Sequence, residues 1–412
     1  MPIQYQSFVL ENGLKVIVHE DHSIPKAVVD IIYKVGSKDE SPHKTGFAHL
    51  FEHLMFGGSK NIPHFDRPLQ KVGGNSNAFT SSDVTNYYDS VPSNQLETAF
   101  WLESDRMLEL DFSQKSLDVQ KSVVIEEFKQ RYLNQPYGDA HLRLREVHFN
   151  THPYHWSTIG KEIAHIEDAT LEDVKNFFYG YYAPNNATLI VAGDVTPEKV
   201  LALAKKWFGP IPKRNRITQE IPVEPPQTSA RTLTLERKVP FPAIYKMYHI
   251  PAYGTRDYCI ADLLTDLLAN GKSSKLFQHM VINTQVASNI NAFTWAMHHP
   301  GILSIDGRIA EGKSIEEYEA ELQKTIDSIQ DLSEAALQRL KNKLEATFVL
   351  QQTTLLNKAI TMALYDSIGN IELINELPAI YQSITLEEVK EGARKYLSPN
   401  NCSTLYYMPE SA

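Results

Sequence analysis

The chain has 412 residues, enough for two domains of ordinary size and a substantial core. Hydrophobic residues make up 42% and charged residues 22%, the balance expected of a soluble globular protein, and no stretch approaches the ~20 apolar residues of a membrane span. A net charge of −10 with no basic run argues against nucleic acid as a partner, and two cysteines, Cys259 and Cys402, supply neither a disulfide framework nor a cysteine-type zinc site.

In chain order, the first segment, Met1-Pro2-Ile3-Gln4-Tyr5-Gln6, has neither a basic n-region nor an apolar h-region. It predicts a cytoplasmic protein; a processed N-terminus would instead allow a periplasmic or organellar one. Residues 14–18 and 27–35 read as strands. They lead to His49-Leu50-Phe51-Glu52-His53, flanked by Thr45-Gly46 and by Gly57-Gly58, which suit a helix start and stop. Histidines four apart lie one helical turn apart on one face, so both imidazoles can reach one ion. Glu52 lies near that face, where its carboxylate can act on a water at the metal. H-x-x-E-H is the inverzincin arrangement.

Catalytic zinc usually takes three protein ligands, so a third is needed. The candidates lie in the amphipathic stretch Gln120-Lys121-Ser122-Val123-Val124-Ile125-Glu126-Glu127-Phe128. Adjacent helical residues point about 100° apart, so at most one of Glu126 and Glu127 faces the ion, and periodicity does not say which. Before this stretch, residues 76–88 are strand-like and 93–110 helical; a second helix spans 115–132, and 188–193 is again a strand. Strands cluster rather than alternate strictly with helices, which predicts an α+β fold with helices packed mainly on one face of a mixed sheet.

The chain repeats itself. Thr170-Leu171-Glu172-Asp173-Val174-Lys175 and Pro184-Asn185-Asn186 recur 215 residues on, as Thr385-Leu386-Glu387-Glu388-Val389-Lys390 and Pro399-Asn400-Asn401. Asn77-Ala78-Phe79-Thr80 recurs 214 residues on, as Asn291-Ala292-Phe293-Thr294. This predicts two homologous halves, 1–212 and 231–412, joined by a Pro-rich polar linker over 213–230. At an offset of 213, His49, Glu52 and His53 fall on Asp262, Thr265 and Asp266, so the second half keeps the scaffold without the metal ligands.

With Asn12-Gly13-Leu14-Lys15-Val16, Asp83, Thr85, Tyr87-Tyr88, Tyr182-Ala183-Pro184-Asn185-Asn186 and Gly193-Asp194, these motifs resemble the pitrilysin-type metallopeptidases, specifically the short branch that includes mitochondrial processing peptidase and its bacterial relatives. The resemblance spans nearly the whole chain. It implies a zinc metalloendopeptidase with one Zn²⁺ per chain, held by His49, His53 and Glu127, with Glu52 as general base. Because histidines ligate only when neutral, activity is expected to fall on the acid side. The resemblance also assigns Asn77, Ala78 and Phe79 to binding of peptide substrates in extended form, as a strand added to the sheet.

Two departures follow. Gln120 stands where the family usually has a glutamate beside the ligands, so ligand orientation can differ while zinc still binds. The Arg and Tyr that the family's partner half offers to the developing oxyanion fall at Val281 and Ser288, and no arginine occurs between Arg256 and Arg308. That absence points to a heterodimer in which a homologous subunit lacking H-x-x-E-H supplies the pair, with a homodimer as the second choice. A structural subunit, or a zinc-dependent module that captures peptides without cutting them, are the alternatives to an enzyme.

Overall fold

A computed structural model describes residues 2–410, which build two β-sheets. The first contains β1 (Gln6–Val9), β2 (Lys15–Glu20), β3 (Lys26–Tyr33), β4 (Asn75–Thr80), β5 (Thr85–Pro92) and β6 (Ala187–Gly193), in the order β1-β2-β6-β3-β5-β4. The second contains β7 (Arg231–Arg237), β8 (Ala243–Ile250), β9 (Ala287–Trp295), β10 (Gly301–Ile309) and β11 (Cys402–Pro409), in the order β7-β11-β8-β10-β9. From β2 onward the two orders match strand for strand. Each sheet has one parallel pair, β2 with β6 and β7 with β11, and is otherwise antiparallel. The internal repeat is therefore a repeat of topology, and the α+β fold with mixed sheets is the one expected. β4 and β9, which carry the repeated Asn-Ala-Phe-Thr, are edge strands.

Two compact units result, and they do not follow the expected boundaries at 212 and 231. One comprises the residues up to Lys129 with Trp156–Ile221 and Val349–Asn375; the other comprises Gln130–His155, Pro222–Phe348 and the residues from Glu376 on. The cause lies in the central strands. β3 is buried at seven of its eight positions, so both faces of its sheet need cover. Helix Leu96–Leu108 packs on β3 and β5, while helix Leu355–Ser367, from the second repeat, packs on β3 and β6. Asp366 of that helix accepts from Thr188 Oγ1 at 2.7 Å and pairs with Lys15, and Lys358 reaches Asp21 at 2.7 Å.

The second unit does the same in reverse. Helix Ala140–His148, from the first repeat, packs on β7, β8 and β11. Ala140 and Leu144 enter a core with Tyr245, Met247, Ile302 and Leu405, and His148 Nδ1 lies 3.1 Å from Ser403 Oγ. Residue 140 plus the repeat length is 355, so the exchanged helices are equivalents of each other. The predicted linker is irregular but not free. Arg214 donates to the carbonyls of Tyr182 (2.6 Å) and Leu108 (2.7 Å) in the first unit. Glu224 accepts from the backbone N–H groups of Asn150, Thr151 and His152 in the second.

Candidate metal centre

The H-x-x-E-H segment lies on an eight-residue helix, Phe47–Leu54. Its apolar positions Phe47, Ala48, Leu50, Phe51 and Leu54 are buried, which leaves His49, Glu52 and His53 on the partly open side. Phe51 stacks on Tyr182 with ring centroids 5.1 Å apart and lies 4.9 Å from Phe177, so the helix cannot rotate without losing this aromatic bed. Its start is held just as firmly. Gly46 adopts φ +89°, where a side chain would also strike the carbonyl of Ile159, so the glycine is required by both strain and space.

Glu40, buried to 3% exposure, accepts from Gly46 N at 2.9 Å and Ala48 N at 2.8 Å. It caps two of the N–H groups that a helix N-terminus leaves unpaired. Burial pushes its carboxyl well above the ordinary range, and these two N–H groups pull the other way. Nothing periodic in the sequence marks Glu40.

The third candidate ligand arrives on helix Gln114–Phe128, which packs against the H-x-x-E-H helix. Lys121 ties it down by donating to the carbonyls of Glu167 and, at 3.0 Å, Ala169. Here the two glutamates separate. Glu126 is 59% exposed and pairs with Lys129 at 2.8 Å. Glu127 is 16% exposed, with Oε2 3.7 Å from His49 Nε2 and 3.5 Å from His53 Nε2. The two imidazoles are 4.9 Å apart and nearly perpendicular. Among the described residues His49, His53 and Glu127 form the one group of three histidine, cysteine or acidic residues with donor atoms within 4.8 Å of one another.

This donor set fits zinc. Nitrogen and oxygen donors at ~2.1 Å with tetrahedral angles lie about 3.4 Å apart, close to the two separations found. Two neutral imidazoles and one carboxylate are also a donor combination that catalytic zinc takes.

Glu52, one residue before His53, accepts from Thr80 Oγ1 at 2.5 Å, a contact between the motif helix and the last residue of β4 that sequence reasoning missed. Asn77, Ala78 and Phe79 lie on the same edge strand, paired on the inner side with Tyr88, Tyr87 and Asn86 of β5. Asn77 Oδ1 accepts from Ala78 N at 2.9 Å, so a side chain covers an edge donor that an added strand would use. Gln120 stands two turns before Glu127, and a methyl group added at Gly57 would meet its Nε2 at 3.8 Å. It therefore borders the end of the motif helix. Val281 lies in the helical turn Phe277–Asn283, and Ser288 is exposed at the start of β9 with Oγ 3.5 Å from the carbonyl of Arg308. Neither side chain carries a cation or a phenol.

Residues 15–160 match the family described as insulinase (peptidase family M16), and residues 168–344 match the peptidase M16 inactive domain. The zinc protease PqqE of Helicobacter pylori is 30% identical over 98% of this chain and 93% of its own length. The chain belongs to peptidase family M16. Family members also include a probable mitochondrial-processing peptidase subunit beta of Arabidopsis thaliana, 22% identical over 94% of this chain and 75% of that protein. A solved protease structure from Helicobacter pylori superposes with a TM-score of 0.93 at 28% identity, covering 99% of this chain and 100% of that one. The pitrilysin-type resemblance is thereby established at the level of family and fold. The match of residues 168–344 to the inactive domain agrees with a second repeat that lacks the ligands.

Proposed function

We propose that this chain is a zinc-dependent endopeptidase that cleaves peptides bound in extended form. The observation that carries this reading is the convergence of His49, His53 and Glu127 beside Glu52, itself tied to edge strand β4. His49, His53 and Glu127 would hold one zinc ion, which when bound supplies Lewis acidity, acidifying water and polarising a carbonyl. Glu52 takes a proton from water and returns it to the leaving amine. Peptide pairs with the outer side of β4, displacing the Asn77 side chain from Ala78 N, and main-chain hydrogen bonds hold it with little sequence preference.

The same reading makes the chain the catalytic member of a heterodimer. Val281 and Ser288 stand where an Arg and a Tyr would serve the oxyanion, and losing one such donor costs on the order of 10²–10³ in rate. A homologous subunit carrying the pair would restore it. Affinity capture of the tagged chain from its native source tests this: a homologue with Arg and Tyr at the two positions is expected. Recovery of homodimers alone, with full activity, would refute the heterodimer. The missing pair also favours a second reading, a non-catalytic subunit; zinc binding without turnover in every assembly state would support it.

A further inference from the structure

We propose that Thr80 is a positioning residue for Glu52, fixing the carboxylate that serves as general base and coupling it to the strand that receives substrate. The inference rests on the peptidase reading and adds a residue to it. The separation of 2.5 Å between Thr80 Oγ1 and Glu52 Oε2 is that of a close hydrogen bond from a hydroxyl to a carboxylate oxygen. Glu52 is long, with three rotatable bonds, and a helix backbone alone does not fix its terminal carboxylate. Thr80 is β-branched and held in a sheet, paired with Thr85, so its hydroxyl direction is restricted at both backbone and χ1.

The position of Thr80 gives this bond a second consequence. It is the last residue of edge strand β4, three residues after Asn77 and two after Ala78, where an added peptide strand would pair. Ordering of β4 by bound peptide therefore orders the donor that holds the base. A displacement of about 1 Å at a catalytic group costs up to 10²-fold in rate, so loss of the tether acts on turnover rather than on affinity.

The test compares Thr80→Val, which keeps the shape and removes the donor, with Thr80→Ser, which keeps the donor. Zinc content, kcat and KM are measured on a quenched fluorescent peptide with the active assembly. Expected are unchanged zinc content, a kcat lower by roughly 10- to 100-fold in Thr80→Val with KM within about twofold, and recovery of most of the loss in Thr80→Ser. The metal-free proteins give a readout independent of activity. Thr80→Val should lower Tm by about 2 °C in the wild-type background and leave it unchanged in a Glu52→Ala background. A Thr80→Val protein that turns over like wild type, or loses only KM, overturns the inference and leaves the peptidase reading standing. A wild-type assembly that binds zinc and never cleaves overturns both.

Discussion

Replacing Glu40 by Ala tests whether the metal centre depends on the anchoring of the helix that carries it. Glu40 is buried and its two carboxylate oxygens are bound to Gly46 N and Ala48 N at 2.9 and 2.8 Å. Alanine leaves both N–H groups without an acceptor, at roughly 1–3 kcal/mol each. Removing a buried carboxylate also relieves its own desolvation, and water entering the vacated space recovers part of one bond. The net loss is therefore about 2–4 kcal/mol. Glu40→Gln keeps one carbonyl oxygen as an acceptor and should lose about half of that. The assay is denaturant unfolding of the metal-free proteins, followed by zinc affinity in competition with a chelator. Because His49 and His53 lie within two turns of Gly46, a loosened N-terminus should weaken zinc by about tenfold, in the range found when groups behind metal ligands are changed. A Glu40→Ala protein within 0.5 kcal/mol of wild type and with unchanged zinc affinity, measured at the ~0.5 kcal/mol level of surface substitutions, would refute the reasoning.

Three further outcomes are expected. Glu127→Ala should lose zinc while Glu126→Ala keeps one ion per chain, read by metal analysis after dialysis; equal loss in both would break the assignment of the third ligand. Asp366→Ala removes the acceptor of Thr188 and the partner of Lys15, and should destabilise the first unit by about 2 kcal/mol; unchanged unfolding would show that the exchanged helix is held by apolar packing alone. Burial holds the His249 imidazole down to about 4, helped by Arg231 and opposed by Glu224, and it stacks on His148 at 3.7 Å. The unfolded chain takes up this proton near the ordinary value of 6.5 and the folded one does not, so stability is full above pH 6.5 and is lost as pH falls towards 4. The loss is about 3 kcal/mol at 1.36 kcal/mol per pH unit, and His249→Phe should remove this share while leaving that of His148, which burial also holds well below its ordinary value, in unfolding measured from pH 7 to 4.

Those parts of the site that depend on local covalent geometry were legible in the sequence. His49 and His53 must share a face once their segment is helical, and the helix ends are marked by glycine at Gly46 and Gly57. The repeat was equally visible, and strand order in the two sheets bears out a duplicated α+β scaffold. What was not legible depends on long-range packing. Nothing in the sequence says which sheet receives the helices over 140–148 and 355–367, so the exchange of helices lay outside its reach. Choosing Glu127 over Glu126 required either the family resemblance or the distances to the imidazoles. Glu40 is a single polar side chain without a pattern, and Thr80 belongs to the repeated Asn-Ala-Phe-Thr, which does not say what its hydroxyl meets. Their roles appear only when a helix start and a strand end are brought beside them.

The most direct test of the account is cleavage of a quenched fluorescent peptide by the zinc-loaded chain, alone and with a homologue bearing the Arg and Tyr, run beside Glu52→Gln. The account expects chelator-sensitive cleavage in at least the mixed assembly, lost in Glu52→Gln although that variant keeps its zinc. Cleavage by Glu52→Gln at the wild-type rate would contradict it.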